Sequence, residues 1–228
     1  MTVSVCAIVP IYNEEQFLEE SIKNLLKVNE IEKVFLVDDC STDSSRSIME
    51  NLEIENEKIE IFETIRNGGK GKAILAVQNH IKTDYVIIHD ADLEYSPLDI
   101  PMMIKKINRD NFNLVLGSRF ISENKKQLYL RTFLANKILS KIFSIIYRVN
   151  VTDIATCYKL IPTSYFKNEK FLEEGFAIEV ELLAKYFKNK KNYIEVPISY
   201  KARSYEEGKK IKIIDGFKYL FAMLKYRF

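Results

Sequence analysis

Two periodicities alternate along the first half of the chain. Short runs rich in Val, Ile and Phe, at Val3–Val9, Val34–Val37, Lys58–Phe62, Tyr85–His89 and Asn113–Leu116, have the length and composition of strands. Between them Glu14–Val28, Asp43–Leu52, Gly71–Ile81 and Pro97–Asn108 space their apolar residues as helices do. Strands alternating with helices predict an α/β fold whose sheet is mostly parallel and covered by helices on both faces. Beyond residue 120 the pattern turns helical, at Leu128–Arg148, Phe176–Phe187 and Lys210–Tyr226, with one more strand at Tyr193–Ser199. No repeat or low-complexity linker interrupts it, so residues 1–228 are expected to form a single domain in two halves, 1–120 and 121–228.

In open parallel sheets ligands lie beyond the carboxyl ends of the strands, so the residues after each run are where chemistry is expected. After the fourth run stands Asp90-Ala91-Asp92-Leu93-Glu94. Two carboxylates behind a buried strand repel each other and lose hydration, a cost relieved by a divalent cation or a basic partner. Such a pair can hold Mg²⁺ or Mn²⁺ on a substrate diphosphate, or simply cap the next helix. Asp38 and Asp39, after the second run, can accept hydrogen bonds from ribose hydroxyls or a base edge, while Asp43 suits a helix cap. Asn67-Gly68-Gly69-Lys70-Gly71 matches neither a P-loop nor GxGxxG. It is either a close-approach loop with Lys70 as a point charge or an ordinary tight turn. Arg119, Arg131, Lys159, Arg203 and Lys209 are candidates for phosphate oxygens. Glu179 and Glu181 are either surface charges or pocket residues, and His80, His89, Cys6 and Cys157 read as structural.

Composition narrows this picture. With 228 residues, 47% hydrophobic and 29% charged, the chain can bury a sizeable core and is not disordered. The longest uncharged stretch, Met1–Asn13, is 13 residues, below the roughly 18–20 apolar residues that span a bilayer. No membrane span is expected, and no signal-peptide pattern precedes the first strand. Three scattered cysteines imply neither a disulfide framework nor a zinc site, so a cytoplasmic setting is expected. The net charge of +2 conceals an asymmetry: residues 1–100 carry 20 acids against 9 bases, a net of −11, and residues 101–228 carry 12 against 25, a net of +13. An acidic half can host a cation and a basic half can face phosphates or an anionic membrane. The basic half has no nucleic-acid-binding motif, and no nucleic-acid partner is expected.

In their joint order these motifs resemble family 2 glycosyltransferases of the glycosyltransferase A-type fold, most closely the dolichyl-phosphate or polyprenyl-phosphate mannosyltransferase branch. The likeness runs from Val3–Glu14 through Val37–Asp43, Gly69–Gly71, Asp90–Glu94 and Gly117–Phe120 to Arg131, Asp153, Tyr158–Leu160, Gly175-Phe176, Glu179–Leu183 and Glu195–Ile198. It implies a Rossmann-like sheet with C-terminal amphipathic helices, a nucleotide-sugar-binding half at 1–120 and an acceptor- and membrane-facing half at 121–228. It also implies a nucleotide-sugar donor of the GDP-mannose or UDP-glucose type, its base and ribose against Pro10, Tyr12, Glu14 and Asp39 with Asp38 close by. Asp90, Asp92 and Glu94 are implied as ligands of Mg²⁺ or Mn²⁺, and Arg119, Arg131, Arg203 and Lys209 as the phosphate-binding set. Asp92, Arg119 and Arg131 are the expected catalytic residues, with Lys70 and Asp90 on the donor. The sequence departs from the family pattern at Cys40 and Cys157, where glycine is common, at Glu94 for Gln, at Ala135 for a small polar residue, and in the terminal Tyr205–Lys210 motif.

The resemblance implies an inverting transfer of a hexose to a polyprenyl phosphate by a peripheral enzyme on the cytoplasmic membrane face. Arg131–Arg148 and Lys210–Arg227 carry apolar faces edged with Lys and Arg, the composition of interfacial helices, although helices packed on a sheet edge share it. A second reading is a soluble family 2 enzyme with a glycan hydroxyl acceptor. That chemistry needs a base, for which Asp153 or Glu179 are the candidates. A third is a non-catalytic nucleotide-sugar-binding module.

Overall fold

The computed structural model describes residues 3–110, 113–121, 130–190, 192–203 and 213–228. Seven strands form one sheet: β1 (Val5–Ile11), β2 (Ile31–Asp38), β3 (Ile59–Glu63), β4 (Tyr85–Ile88), β5 (Leu114–Ser118), β6 (Lys159–Pro162) and β7 (Tyr193–Pro197). Their order is β3-β2-β1-β4-β6-β5-β7. All neighbours are parallel except β6, which runs antiparallel to both β4 and β5. The helices are α1 (Leu18–Leu26), α2 (Ser45–Glu55), α3 (Lys70–Ala76), α4 (Ile100–Asp110), α5 (Leu130–Tyr147), α6 (Thr163–Asn168), α7 (Ile178–Asn189) and α8 (Ile213–Lys225).

Successive residues of a strand point to opposite faces, and in β1 all but Pro10 are buried, so both faces of the central strand are covered. One hydrophobic cluster takes in buried side chains from Val5 to Tyr226, including Ile8, Leu36, Ile87, Phe143 and Tyr186. The register matters for function. Ile11 pairs with Asp38 across β1 and β2, and Ile8 with Ile88 across β1 and β4. Three parallel strands therefore end side by side, and the polar segments that follow them share one edge.

The elements differ from the sequence expectation in instructive places. The first strand lies two residues later, and β2 begins at Ile31, where the charged Glu32 and Lys33 obscure its alternation. α1 starts at Leu18 because residues 14–17 form a turn, with Phe17 and Leu18 N–H both donating to the Glu14 carbonyl at 3.0 Å. α3 is one short helix ending at Ala76 rather than Ile81. β6 and α6 were not anticipated: four residues beginning with a buried lysine and ending in proline give too short and mixed a signal to read as a strand. Of the expected C-terminal helix, residues 210–212 lie outside the described ones.

The glycine loop before α3 is fixed by backbone packing. Gly69 has φ +89°, and a Cβ on Gly71 would stand 2.1 Å from the Glu173 carbonyl oxygen and 2.8 Å from the Glu174 carbonyl carbon. The segment before α7 thus lies directly on the loop, and Lys72 N–H donates to the Glu174 carbonyl at 2.8 Å. Gly216 in α8 has only Leu139 at 4.0 Å. Gly71→Ala is expected to lower stability by about 1–3 kcal/mol through overpacking, whereas Gly216→Ala raises it by about 0.5 kcal/mol through helix propensity. Urea denaturation of the two variants checks the contrast.

Candidate active site

The segments after β1 and β2 are tied to each other before they meet any ligand. Asn13 at φ +52° accepts the Thr42 N–H at 2.8 Å, and Glu14 N–H donates to Ser45 Oγ at 2.9 Å. Asp38 Oδ1 accepts the Ser41 N–H at 2.9 Å, closing the turn after β2. Asp43 accepts the Ser45 N–H at the head of α2, also at 2.9 Å. Cys40 has φ +61°, a left-handed conformation that favours glycine, which is the residue the family commonly places there.

Asp39 holds the glycine loop. Its carboxylate accepts the Gly69 N–H at 2.6 Å, the Gly68 N–H at 3.0 Å and the Thr64 hydroxyl at 2.7 Å. This delivers Lys70 to the edge of the sheet, where its ammonium lies 2.7 Å from Asp90 Oδ1 and 2.7 Å from Glu179 Oε1. Glu179, on α7 and nearly fully buried, also takes the ammonium of Lys159 from β6 at 2.5 Å. Two cations and two anions thus alternate, with Asp90 and Lys70 at the wall of the cleft and Glu179 and Lys159 buried behind them. Burial raises the Asp90 carboxyl, but Lys70, aided by Cys157 and His89, holds the pKa below the ordinary carboxylate value.

Asp92 behaves oppositely. Burial, then the charges of Asp90 and Glu94, push its carboxyl up to about 7 against the pull of Arg203. Arg203 Nη2 reaches Asp92 Oδ2 at 2.7 Å and Nη1 reaches Glu14 Oε2 at 3.0 Å. The Glu94 carboxylate accepts the Tyr200 hydroxyl at 2.8 Å and the Arg203 N–H at 2.7 Å.

A buried polar chain holds the backbone of the aspartate turn. Ser21 Oγ donates to the Asp92 carbonyl at 3.0 Å, so it accepts from His89 Nε2–H at 3.1 Å, and His89 Nδ1 accepts the Tyr158 hydroxyl at 3.0 Å. Burial, helped by Lys70, lowers the His89 pKa to about 4, which keeps the ring neutral as this pattern requires.

A cleft of about 200 Å³ opens over these groups. Among the residues singled out from the sequence, Pro10, Tyr12, Glu14, Asp39, Lys70, Asp90, Asp92, Glu94 and Arg203 line it. Asp38 is not among the lining residues and is buried in its own turn. Arg119 is not among the lining residues: it is buried, clamped by Asp153 through Nε at 2.7 Å and Nη2 at 2.8 Å, with the Tyr200 ring 5.0 Å from its guanidinium. Glu195 secures that clamp by accepting the Thr152 and Asp153 N–H groups. The side chain of Arg131 and all of Lys209 lie outside the described residues. Sequence reasoning gave no site role to Ser21, read His89 as structural, and noted Tyr158 only as part of the Tyr158–Leu160 motif. It left Glu179 open between surface and pocket.

The cleft suits a hard dication chemically. Its donors are carboxylate oxygens, and Glu14, Asp39, Asp90, Asp92 and Glu94 line it against only Lys70 and Arg203, so the site is short of positive charge. Among the described residues, no three His, Cys, Asp or Glu side chains already converge on a common point for a metal ion.

This sheet order, with acidic turns at adjacent strand ends, defines a glycosyltransferase of the A-type fold. The chain belongs to glycosyl transferase family 2, whose model matches residues 6–169. It is 28% identical over 235 residues to the UDP-N-acetylglucosamine–dolichyl-phosphate N-acetylglucosaminyltransferase of Methanococcus voltae, covering 95% of this chain and 93% of that one. It is 27% identical over 210 residues to the undecaprenyl-phosphate 4-deoxy-4-formamido-L-arabinose transferase of Edwardsiella ictaluri, covering 90% of this chain but only 62% of that longer protein. In fold it is similar to glucosyl-3-phosphoglycerate synthase from Mycobacterium tuberculosis, solved with Mn²⁺, UDP and phosphoglyceric acid. That match has a TM-score of 0.73 at 14% identity and covers 99% of this chain and 78% of the other.

Removing the shared ammonium tests the buried charge network. Lys70→Met leaves Asp90 without its cation while Lys159 still serves Glu179, and stability is expected to fall by about 3–5 kcal/mol. Adding Asp90→Asn should restore much of it, a non-additivity that urea denaturation of the single and double variants reads directly.

Proposed function

We propose that this enzyme transfers a hexose from a nucleotide sugar to a polyprenyl phosphate at a membrane surface, with inversion at the anomeric carbon. The observation that carries the acceptor class is the outer face of α5 and α8. These two helices pack together and leave Leu134, Ile138 and Ile145 exposed on one, and Phe217, Phe221 and Leu224 on the other. Phe217 and Phe221 are 66% and 67% exposed, and Lys137, Lys141, Lys218 and Lys225 lie on the same helices. An apolar stripe bordered by lysines suits the boundary between headgroups and acyl chains, where each basic residue near an anionic surface contributes about 1 kcal/mol. Among the described residues no helix is long and apolar enough to cross a membrane, which accords with contact from the surface. The names of the Methanococcus and Edwardsiella relatives support a lipid-phosphate acceptor.

The donor would occupy the cleft, its nucleoside against Pro10, Tyr12 and Glu14 and its diphosphate toward Lys70 and Arg203. Asp90 and Asp92 would hold Mg²⁺ or Mn²⁺, whose contribution is to neutralise charge on the departing diphosphate. A phosphate monoester is anionic at neutral pH and needs no base. One of its oxygens attacks the anomeric carbon as the bond to the donor diphosphate breaks, and the nucleoside diphosphate leaves with the electron pair. The protein's share is positioning and electrostatic stabilisation by Lys70 and Arg203. A hydroxyl acceptor would require a base, and both residues suggested for it from sequence are otherwise engaged: Asp153 is clamped on Arg119 and Glu179 is held between Lys70 and Lys159. That disfavours the soluble-acceptor reading.

GDP-mannose, UDP-glucose and UDP-N-acetylglucosamine, each radiolabelled, can be offered with membranes containing polyprenyl phosphate. Label is expected in the organic phase with at least one donor, absent with EDTA or Asp92→Ala, and strongly reduced in the Phe217→Glu/Phe221→Glu variant. Transfer to a water-soluble acceptor without lipid phosphate would overturn the acceptor assignment. A pH dependence also follows. With its pKa near 7, Asp92 is protonated below neutrality and ionised above, and only the carboxylate binds a cation. Mn²⁺ affinity measured by calorimetry should therefore rise from about pH 6 to about pH 8 and level off beyond.

A further inference from the structure

Glu94 stands where the family resemblance places a third metal ligand, yet both of its carboxylate oxygens are taken up by the 200–203 segment. Oε1 accepts the Arg203 N–H at 2.7 Å, Oε2 accepts the Tyr200 hydroxyl at 2.8 Å, and the Glu94 carbonyl accepts the Lys201 N–H at 2.8 Å. Its own N–H donates to Asp92 Oδ1 at 2.9 Å. One residue therefore fastens the 200–203 segment to the aspartate turn through three acceptor positions. Held in this way, the Arg203 guanidinium reaches Asp92 Oδ2 at 2.7 Å and Glu14 Oε2 at 3.0 Å.

Both Asp92 oxygens are then engaged, one by a backbone N–H and the other by a cation. A dication approaching Asp92 meets a positive charge already seated on the oxygen it needs, so the two exclude each other by charge and by shared lone pairs. The guanidinium is not fully satisfied there, since Arg203 Nε is buried without a hydrogen-bond partner among the described residues. Its hold on Asp92 is therefore one that a stronger cation can replace.

We propose that Arg203 is the resident counter-cation of Asp92 and competes with the divalent metal for that carboxylate, and that Glu94 is the positioning residue which keeps Arg203 there rather than a metal ligand. The inference rests on Asp90 and Asp92 as the cation site. Its consequence is that metal loading releases Arg203 from Asp92 toward incoming phosphate.

The test is a Mn²⁺ titration of the full chain without nucleotide, following the free-ion signal by electron paramagnetic resonance, with a thermal melt to verify folding. Arg203→Gln is expected to bind Mn²⁺ about tenfold more tightly than the wild type, or about 1.4 kcal/mol. Glu94→Ala should also tighten binding by loosening Arg203. Glu94→Gln should match the wild type, because its amide oxygen can accept the Arg203 N–H while its NH₂ donates to the Tyr200 hydroxyl. A metal ligand at position 94 would give the opposite sign, with weaker binding in Glu94→Ala, and that result overturns the proposal. So does an unchanged affinity in Arg203→Gln beside normal Mn²⁺ binding by the wild type, which would leave the metal site itself standing. Absence of Mn²⁺ binding in the wild type and every variant would remove both. Should Arg203→Gln fail to fold, Glu94→Ala and Tyr200→Phe carry the same test, since each removes an anchor of the 200–203 segment without touching the guanidinium.

Discussion

The site depends on one ammonium group shared by two buried carboxylates. Lys70 lies 2.7 Å from both Asp90 and Glu179, and those acids come from opposite halves of the chain. Alone, each carboxylate so placed would carry a desolvation cost of several kcal/mol. Together with Lys159 they form an alternating set in which every charge has an opposite neighbour. The Asp39 carboxylate makes this possible, because its bonds to Gly68 and Gly69 decide where Lys70 begins its helix. The glycines in turn allow the Glu173 and Glu174 backbone to lie against the loop, bringing α7 and Glu179 within reach.

From that arrangement follows the unequal character of the two aspartates. Asp90 has a lysine as its fixed counter-ion and stays ionised. Asp92 has burial and two acidic neighbours to contend with, and its cation, Arg203, comes from a segment anchored by Glu94. The first aspartate is thus set by the interior of the fold and the second by a surface segment. A cleft with one fixed and one replaceable cation can admit a dication without dismantling the core network beneath it.

The alternation of strands and helices through residue 120, and the clustering of chemistry at strand ends, were legible because parallel α/β units impose strong local periodicity. The acidic pairs were legible too, since charges after an apolar run are conspicuous. What a linear reading missed has a common physical cause. β6 is four residues long and begins with Lys159, a charge whose burial makes sense only once Glu179 is known to lie opposite. Arg119 shows nothing in its own spacing of Asp153, 34 residues away, which engages two of its guanidinium nitrogens. Glu94 stands in an acidic motif, and nothing in that motif shows that Tyr200 and Arg203 will be found on its oxygens. In each case the partner is distant in sequence, and spacing carries no information about which charges will be neutralised.

The charge asymmetry along the chain acquires a structural meaning in this light. The acidic first half, net −11, contributes Glu14, Asp39, Asp90, Asp92 and Glu94 to one cleft, a concentration that its own Lys70 only partly offsets. The basic second half, net +13, supplies Arg203 to that cleft and Lys159 to the network below it. Other lysines of that half lie on α5 and α8, beside an apolar face the core does not cover. The opposite signs therefore meet in one place, where Arg203 of the basic half closes an acidic cleft supplied by the other.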